Sequence, residues 1–186
     1  MRRIFYFFIL GLFLLLFLPA QARAQAVAVG IDAPQEIAKD SNFSVKITVG
    51  PITNFDAGNF EVTFNPSIIQ LTMVSPGKIN QTAIPVMDRE ITPGKIKIVA
   101  NVPGVEGVSG TGYLAEIHFK AIGQSGSSTE LTLSKGLISN NEAQEIPARW
   151  GQGTIKVISS SPPPGGGGGG GGGGAPPCPH RRHQGK

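Results

Sequence analysis

The chain has 186 residues, a single cysteine, 15% charged residues and a formal net charge of +4. That length is enough for one domain with its own core, and Cys178 standing alone excludes an internal disulfide, so burial must hold the fold together. The positive charge is no sign of nucleic-acid binding, because six cations (Arg2, Arg3, Arg23, Arg181, Arg182, Lys186) sit in the terminal segments and leave ten basic against twelve acidic residues elsewhere.

Met1-Arg2-Arg3 is a basic start, Ile4 to Leu18 is an almost unbroken apolar run, and Ala22-Arg23-Ala24 is a small-x-small site. This is the pattern of a secretory signal peptide over residues 1–24, cleaved between Ala24 and Gln25. The alternative is an uncleaved membrane anchor, since about twenty apolar residues span a bilayer. The short run, ended by Pro19, favours removal, only transient membrane contact, and a secreted or cell-surface protein.

The folded unit is expected over residues 25–159. Val27, Val29 and Ile31 alternate as a first strand, and Lys39-Asp40-Ser41-Asn42 is a turn cluster. Phe43, Val45, Ile47 and Val49 alternate with polar residues as a half-buried strand, which Gly50-Pro51-Ile52-Thr53-Asn54 should break. In the next strand Phe60, Val62 and Phe64 face one way and Asn59, Glu61 and Thr63 the other, until Asn65-Pro66 closes it.

Ile68 to Val74 reads as a strand or bent edge, Ser75-Pro76-Gly77 as a turn, and Asn80 to Thr92 as a short strand with loops. Lys95 to Ala100 alternates again, and the glycine-rich stretch from Pro103 to Gly112 reads as a mobile loop. The longest strand is expected at Tyr113 to Ala121, with Tyr113, Ala115, Ile117 and Phe119 inward and Leu114, Glu116, His118 and Lys120 outward. Thr129–Ser134, Leu137-Ile138 and Gly153–Ile158 complete the set. Eight or nine short strands without a helical repeat indicate an antiparallel β-sandwich with Greek-key or jelly-roll connections.

Residues 160–186 contain Pro162-Pro163-Pro164, the glycine tract Gly165 to Gly174 and a basic end. With nothing apolar to bury, this segment is expected to be a disordered linker and tail.

The order of these pieces resembles the cohesin domain, the receptor module for dockerin-bearing enzymes in cellulosomes. The resemblance rests on Lys39-Asp40-Ser41-Asn42 before Phe43 to Val49, on Phe60-Glu61-Val62-Thr63-Phe64-Asn65-Pro66 with Ile68-Ile69, on Pro76-Gly77, on Gly112 to Phe119 and on Gly151 to Val157. It covers about Val27 to Val157 and implies a nine-stranded jelly roll that binds a dockerin-type module with one sheet face. Any calcium would then belong to the partner. Related modules of similar fold bind polysaccharide, so a carbohydrate-binding module is the second expectation and a structural adhesion module the third. Two positions depart from the family pattern. Asn65 replaces the Asp before Pro, keeping the same side-chain-to-backbone bond within reach, and Ala57 with Asn59 replaces an Asn-x-Asp pair that meets the dockerin in many cellulosomal members.

The candidate partner-binding face is Asn59, Glu61 and Thr63, with either Lys95 and Lys97 or Glu116 and His118 on neighbouring strands. No catalytic residue is expected: His118 is the one histidine outside the termini, its flanks alternate as an ordinary strand, and no Gly-x-Ser-x-Gly turn accompanies it. No metal site or cofactor is expected either. Cys178, His180 and His183 fall short of a closed tetrahedral set, and no Asp-rich calcium loop is present. Trp150 and Tyr113 are the aromatics to test for sugar stacking, and both read as core packing. Asn42-Phe43-Ser44 and Asn80-Gln81-Thr82 are glycosylation sequons that matter only in a host that uses them.

Overall fold

The computed structural model describes residues 25–160, so the signal segment with its Ala24–Gln25 cleavage site and the Pro/Gly-rich tail with Cys178 lie outside the described residues or at their margin. The described chain is all β. Its strands are β1 (Val27–Asp32), β2 (Glu36–Ala38), β3 (Asn42–Thr63), β4 (Ile69–Ile79), β5 (Thr82–Ile84), β6 (Val86–Thr92), β7 (Lys95–Asn101), β8 (Val108–Ala121), β9 (Ser128–Asn140), β10 (Ala148–Trp150) and β11 (Gln152–Ile158).

Two sheets share β3. Its first half pairs with β1 and β8, from Asn42 opposite Lys120 to Val49 opposite Val29. Its second half pairs with β7 and β9, from Ala57 opposite Asn101 to Thr63 opposite Lys95 and Thr132. One sheet therefore runs β10-β1-β3-β8-β4-β5 and the other β6-β7-β3-β9-β11-β2. All pairings are antiparallel except the short parallel contacts of β1 with β10 and β11 with β2. Setting aside the three-residue strands and taking the halves of β3 separately leaves the nine strands of the expected jelly-roll sandwich.

The expected break at Gly50–Asn54 is instead a bend. Register with β8 shifts between Val49 and Ile52 and again between Ile52 and Phe55, and Asn54 takes φ 57°. Pro51 has no N–H to give to a ladder, so the chain leaves one sheet there and enters the other without ending the strand. This makes β3, and not β8, the longest strand, at 22 residues.

Between the sheets Phe55, Phe60 and Phe119 are fully buried, and Phe64 meets Phe119 edge-on at 5.1 Å. Burial of each such ring is worth about 1.5–3 kcal/mol. Asn65 does what an Asp would do before Pro66: its Oδ1 accepts the Ser67 N–H at 3.0 Å and caps the turn into β4.

The expected turn at Ser75-Pro76-Gly77 is strand in the structure, with Pro76 opposite Ala115 and Gly77 opposite Ile84; the chain reverses later, at Asn80, with φ 51°. β4 stays in register with β8 through this segment, while β8 itself is bulged against β3. A register shift there makes Leu114 an extra residue, so Leu114 and Ala115 are both buried while Tyr113 is turned from the expected inward position to the outer face, beneath Lys46 Nζ at 5.1 Å from its ring centre. Gly77 passes that bulge so closely that a β-carbon would lie 2.3 Å from the Leu114 carbonyl oxygen. The glycine-rich loop is also shorter than expected, because β8 already begins at Val108.

Gly77→Ala is therefore expected to destabilise the fold by about 1–3 kcal/mol through a clash with backbone that cannot rotate away. Gly50→Ala, whose β-carbon meets nothing closer than 3.5 Å, should stay within about 0.5 kcal/mol. Urea midpoints of the two variants measure the contrast, and equal midpoints would contradict it.

Candidate functional site

The outer face of the second sheet is ordered in rows, because residues paired across β6, β7, β3 and β9 project side by side. One row is Met87, Val99, Asn59 and Leu137; the next is Arg89, Lys97, Glu61 and Ser134; the third is Thr92, Lys95, Thr63 and Thr132. Asn59, Glu61, Thr63, Lys95 and Lys97 thus share one face. Glu116 and His118 do not: β8 pairs with the first half of β3, which puts them on the other sheet beside Lys46 and Ser44. There His118 Nε2 lies 3.0 Å from Ser75 Oγ, opposite exposed Met73.

Apolar groups concentrate in the first row. Met87 is 70% exposed, Leu137 is 42% exposed, and Val99 between them is half-buried. Ala57, Asn59, Lys97, Val99, Leu137 and Ser139 line a shallow depression of about 210 Å³. The sequence reading missed Met87, Val99 and Leu137 as site residues, although each stands at a β-strand position of outward phase.

Glu61 anchors the second row. It is only 7% exposed, covered by lysine side chains: Lys95 Nζ is 2.8 Å from Oε2 and Lys135 Nζ is 3.3 Å from Oε1. The Lys95 contact is a close ion pair rather than an aligned hydrogen bond. Contact with Lys95 is the main cause holding the carboxyl below its ordinary value of 4.5; burial opposes it and Lys135 adds to it.

Lys135 reaches Glu61 because β9 is bulged. Its register with β3 shifts between the Asn59 and Glu61 pairs, with Lys135 at φ 48°. The sequence carries the signal: Leu131 and Leu133 are buried at odd positions and Ile138 at an even one, which needs an extra residue between them. Gly136 follows, and a β-carbon on it would lie 2.0 Å from the Trp150 ring. Trp150 fills that space against Phe60, ring centres 5.7 Å apart. The indole packs on the core, as expected.

No group of three or more potential metal ligands occurs among the described residues.

The cohesin family model matches residues 27–157, most of the chain. The chain belongs to the cohesin family. Its fold is similar to that of a non-cellulosomal cohesin from the archaeon Archaeoglobus fulgidus, at 18% identity and TM-score 0.60, over 73% of this chain and 93% of that one. It is similar also to the cohesin module of a family 33 glycoside hydrolase from Clostridium perfringens, at 16% identity and TM-score 0.64, over 73% and 98%. A third is the sixth cohesin of Acetivibrio cellulolyticus scaffoldin B, solved in complex with a Cel5 dockerin, at 17% identity and TM-score 0.59, over 73% and 100%. No curated protein matches this cohesin.

The depressed carboxyl of Glu61 gives a sign for acid sensitivity. A group whose folded pKa is lowered contributes its full stability above the unfolded value and loses it as pH falls through the folded one. The melting-temperature advantage of the native cohesin over Glu61→Gln is thus expected at neutral pH and should shrink as pH drops below the ordinary carboxylate range. An advantage that grew on acidification would contradict the pairing.

Proposed function

We propose that this cohesin is a secreted, non-catalytic docking module that binds a dockerin-type partner through the outer face of β6, β7, β3 and β9. The observation that carries the reading is the row of Met87, Val99 and Leu137 on a sheet face of a cohesin fold, with Asn59, Lys97 and Ser139 around it. An aliphatic centre with a polar surround is the arrangement of protein–protein interfaces, where the centre is desolvated and the rim supplies hydrogen bonds. Solved cohesins of this fold are found with dockerins, among them the scaffoldin B module and a cohesin paired with a Clostridium thermocellum dockerin. Residues 1–24 support export to the extracellular space or cell surface, and the glycine tract 165–174 would give the docked module reach.

Polysaccharide binding is the weaker reading. Flat sugar platforms need aromatic rings aligned on one face, whereas Trp150 is engaged with Phe60 and Tyr113 lies on the opposite sheet under Lys46.

Leu137→Asp in the mature chain should weaken binding to a cognate dockerin by at least about 100-fold, since an aliphatic anchor becomes a buried charge, while the melting temperature stays near that of the parent. Calorimetry checks the first and thermal unfolding the second. Retardation of the parent in cellulose or xylan gels, with every dockerin ignored, would replace docking by carbohydrate binding.

A further inference from the structure

The charge on this face does not follow that of the domain. Residues 25–160 hold ten basic and twelve acidic side chains. Yet the three rows of the candidate face hold Arg89, Lys95 and Lys97, and the β9 bulge adds Lys135, against the single carboxylate of Glu61. Asp88 and Glu90, the acidic neighbours on β6, pair with Ile98 and Ile96 and so leave the strand on the other side. The Glu61 carboxylate accounts for the placement of Lys95 and Lys135 in the fold, but no ion pair among the described residues engages Arg89 or Lys97. Arg89 and Lys97 are directly opposite on adjacent strands and both exposed, and like charges so placed weaken a sheet. Two lysines on Glu61 likewise exceed what one carboxylate neutralises.

Resting on the docking reading above, we infer that the partner of this cohesin presents an acidic docking surface: an aliphatic side chain that enters the depression between Val99 and Leu137, flanked by Asp or Glu side chains that meet Lys97 and Arg89. Complementary carboxylates remove the Arg89–Lys97 repulsion on binding, so the complex gains where the free sheet loses. They also exclude dockerins with basic contact surfaces, because cations brought against Arg89 and Lys97 are repelled. Glu61 then acts mainly by holding Lys95 and Lys135 extended over the face, ready for a partner's carboxylates, rather than by touching the partner itself.

The test is a displayed library of dockerin modules randomised at the surface positions of their docking helices and selected on the mature chain, with Leu137→Asp as the counter-selection. Enrichment of Asp and Glu at the randomised positions is the expected result. A selected acidic clone should associate at least about tenfold more slowly with Lys97→Glu or Arg89→Glu and should weaken as salt is raised to about 0.5 M. Enrichment of Lys and Arg, or of no charge at all, overturns the acidic partner and leaves docking intact. If the library shows no enrichment over the Leu137→Asp chain, docking through this face fails, and the inference with it.

Discussion

A single strand carries hydrogen bonds to both sheets of this molecule. β3 gives its first half to β1 and β8 and its second half to β7 and β9, so neither sheet has a central strand of its own. Everything else is placed relative to it. The bend at Pro51–Asn54 carries the strand from one sheet to the other, Phe55 and Phe60 just beyond that bend are buried between them, and Glu61 on the same strand stands at the middle of the candidate face. Losing the ladder of either half would leave two strands of that sheet without their neighbour.

Two bulges convert this frame into a surface with particular chemistry. On β8 the extra Leu114 turns Tyr113 outward and draws Gly77 of β4 against the backbone. On β9 Lys135 is turned outward to Glu61, and Gly136 leaves a gap that Trp150 occupies. The same insertion thus supplies a cation to one face and a hole to the core. A bulge is costly in ladder bonds and is kept where it re-aims a side chain. The position of the second, beside Glu61 and Leu137, ties the packing of the core aromatics to the layout of the candidate face.

Membership of the cohesin family and the layout of this face point the same way, but they carry different weight. Similarity below 20% to solved cohesins establishes the sandwich, while the recognition chemistry rests on the residues of this chain alone. At Ala57 this chain carries a methyl group where the family resemblance implies an Asn, and beside it stand the row of Met87, Val99 and Leu137 and the cations Arg89, Lys95, Lys97 and Lys135.

Much of the fold was legible in the sequence, because period-two alternation at Phe43–Val49, Phe60–Phe64, Lys95–Ala100 and Ile117–Ala121 reports burial on one face whatever the neighbours are. The site was legible in part. Asn59, Glu61 and Thr63 were visible as an outward face, and Lys95 and Lys97 as one of two candidate flanks. Which flank is real could not be read, since alternation says which way a side chain points and nothing about which strand lies beside it. Strand order put Lys97 next to Glu61 and sent Glu116 and His118 to the opposite sheet. Tyr113 was misread because a bulge shifts phase by one residue and its partner strand, not the local sequence, decides where the extra residue goes; Ser75–Gly77 was misread because a Pro-Gly pair signals a turn locally, while its pairing with β8 and β5 keeps it extended. The sequence by itself determined that the chain is a β-sandwich with one polar face on its organising strand. Only tertiary structure decided that Met87, Val99 and Leu137, far apart along the chain, form one row, because cross-strand register is a property of pairing between segments and is written in none of them alone.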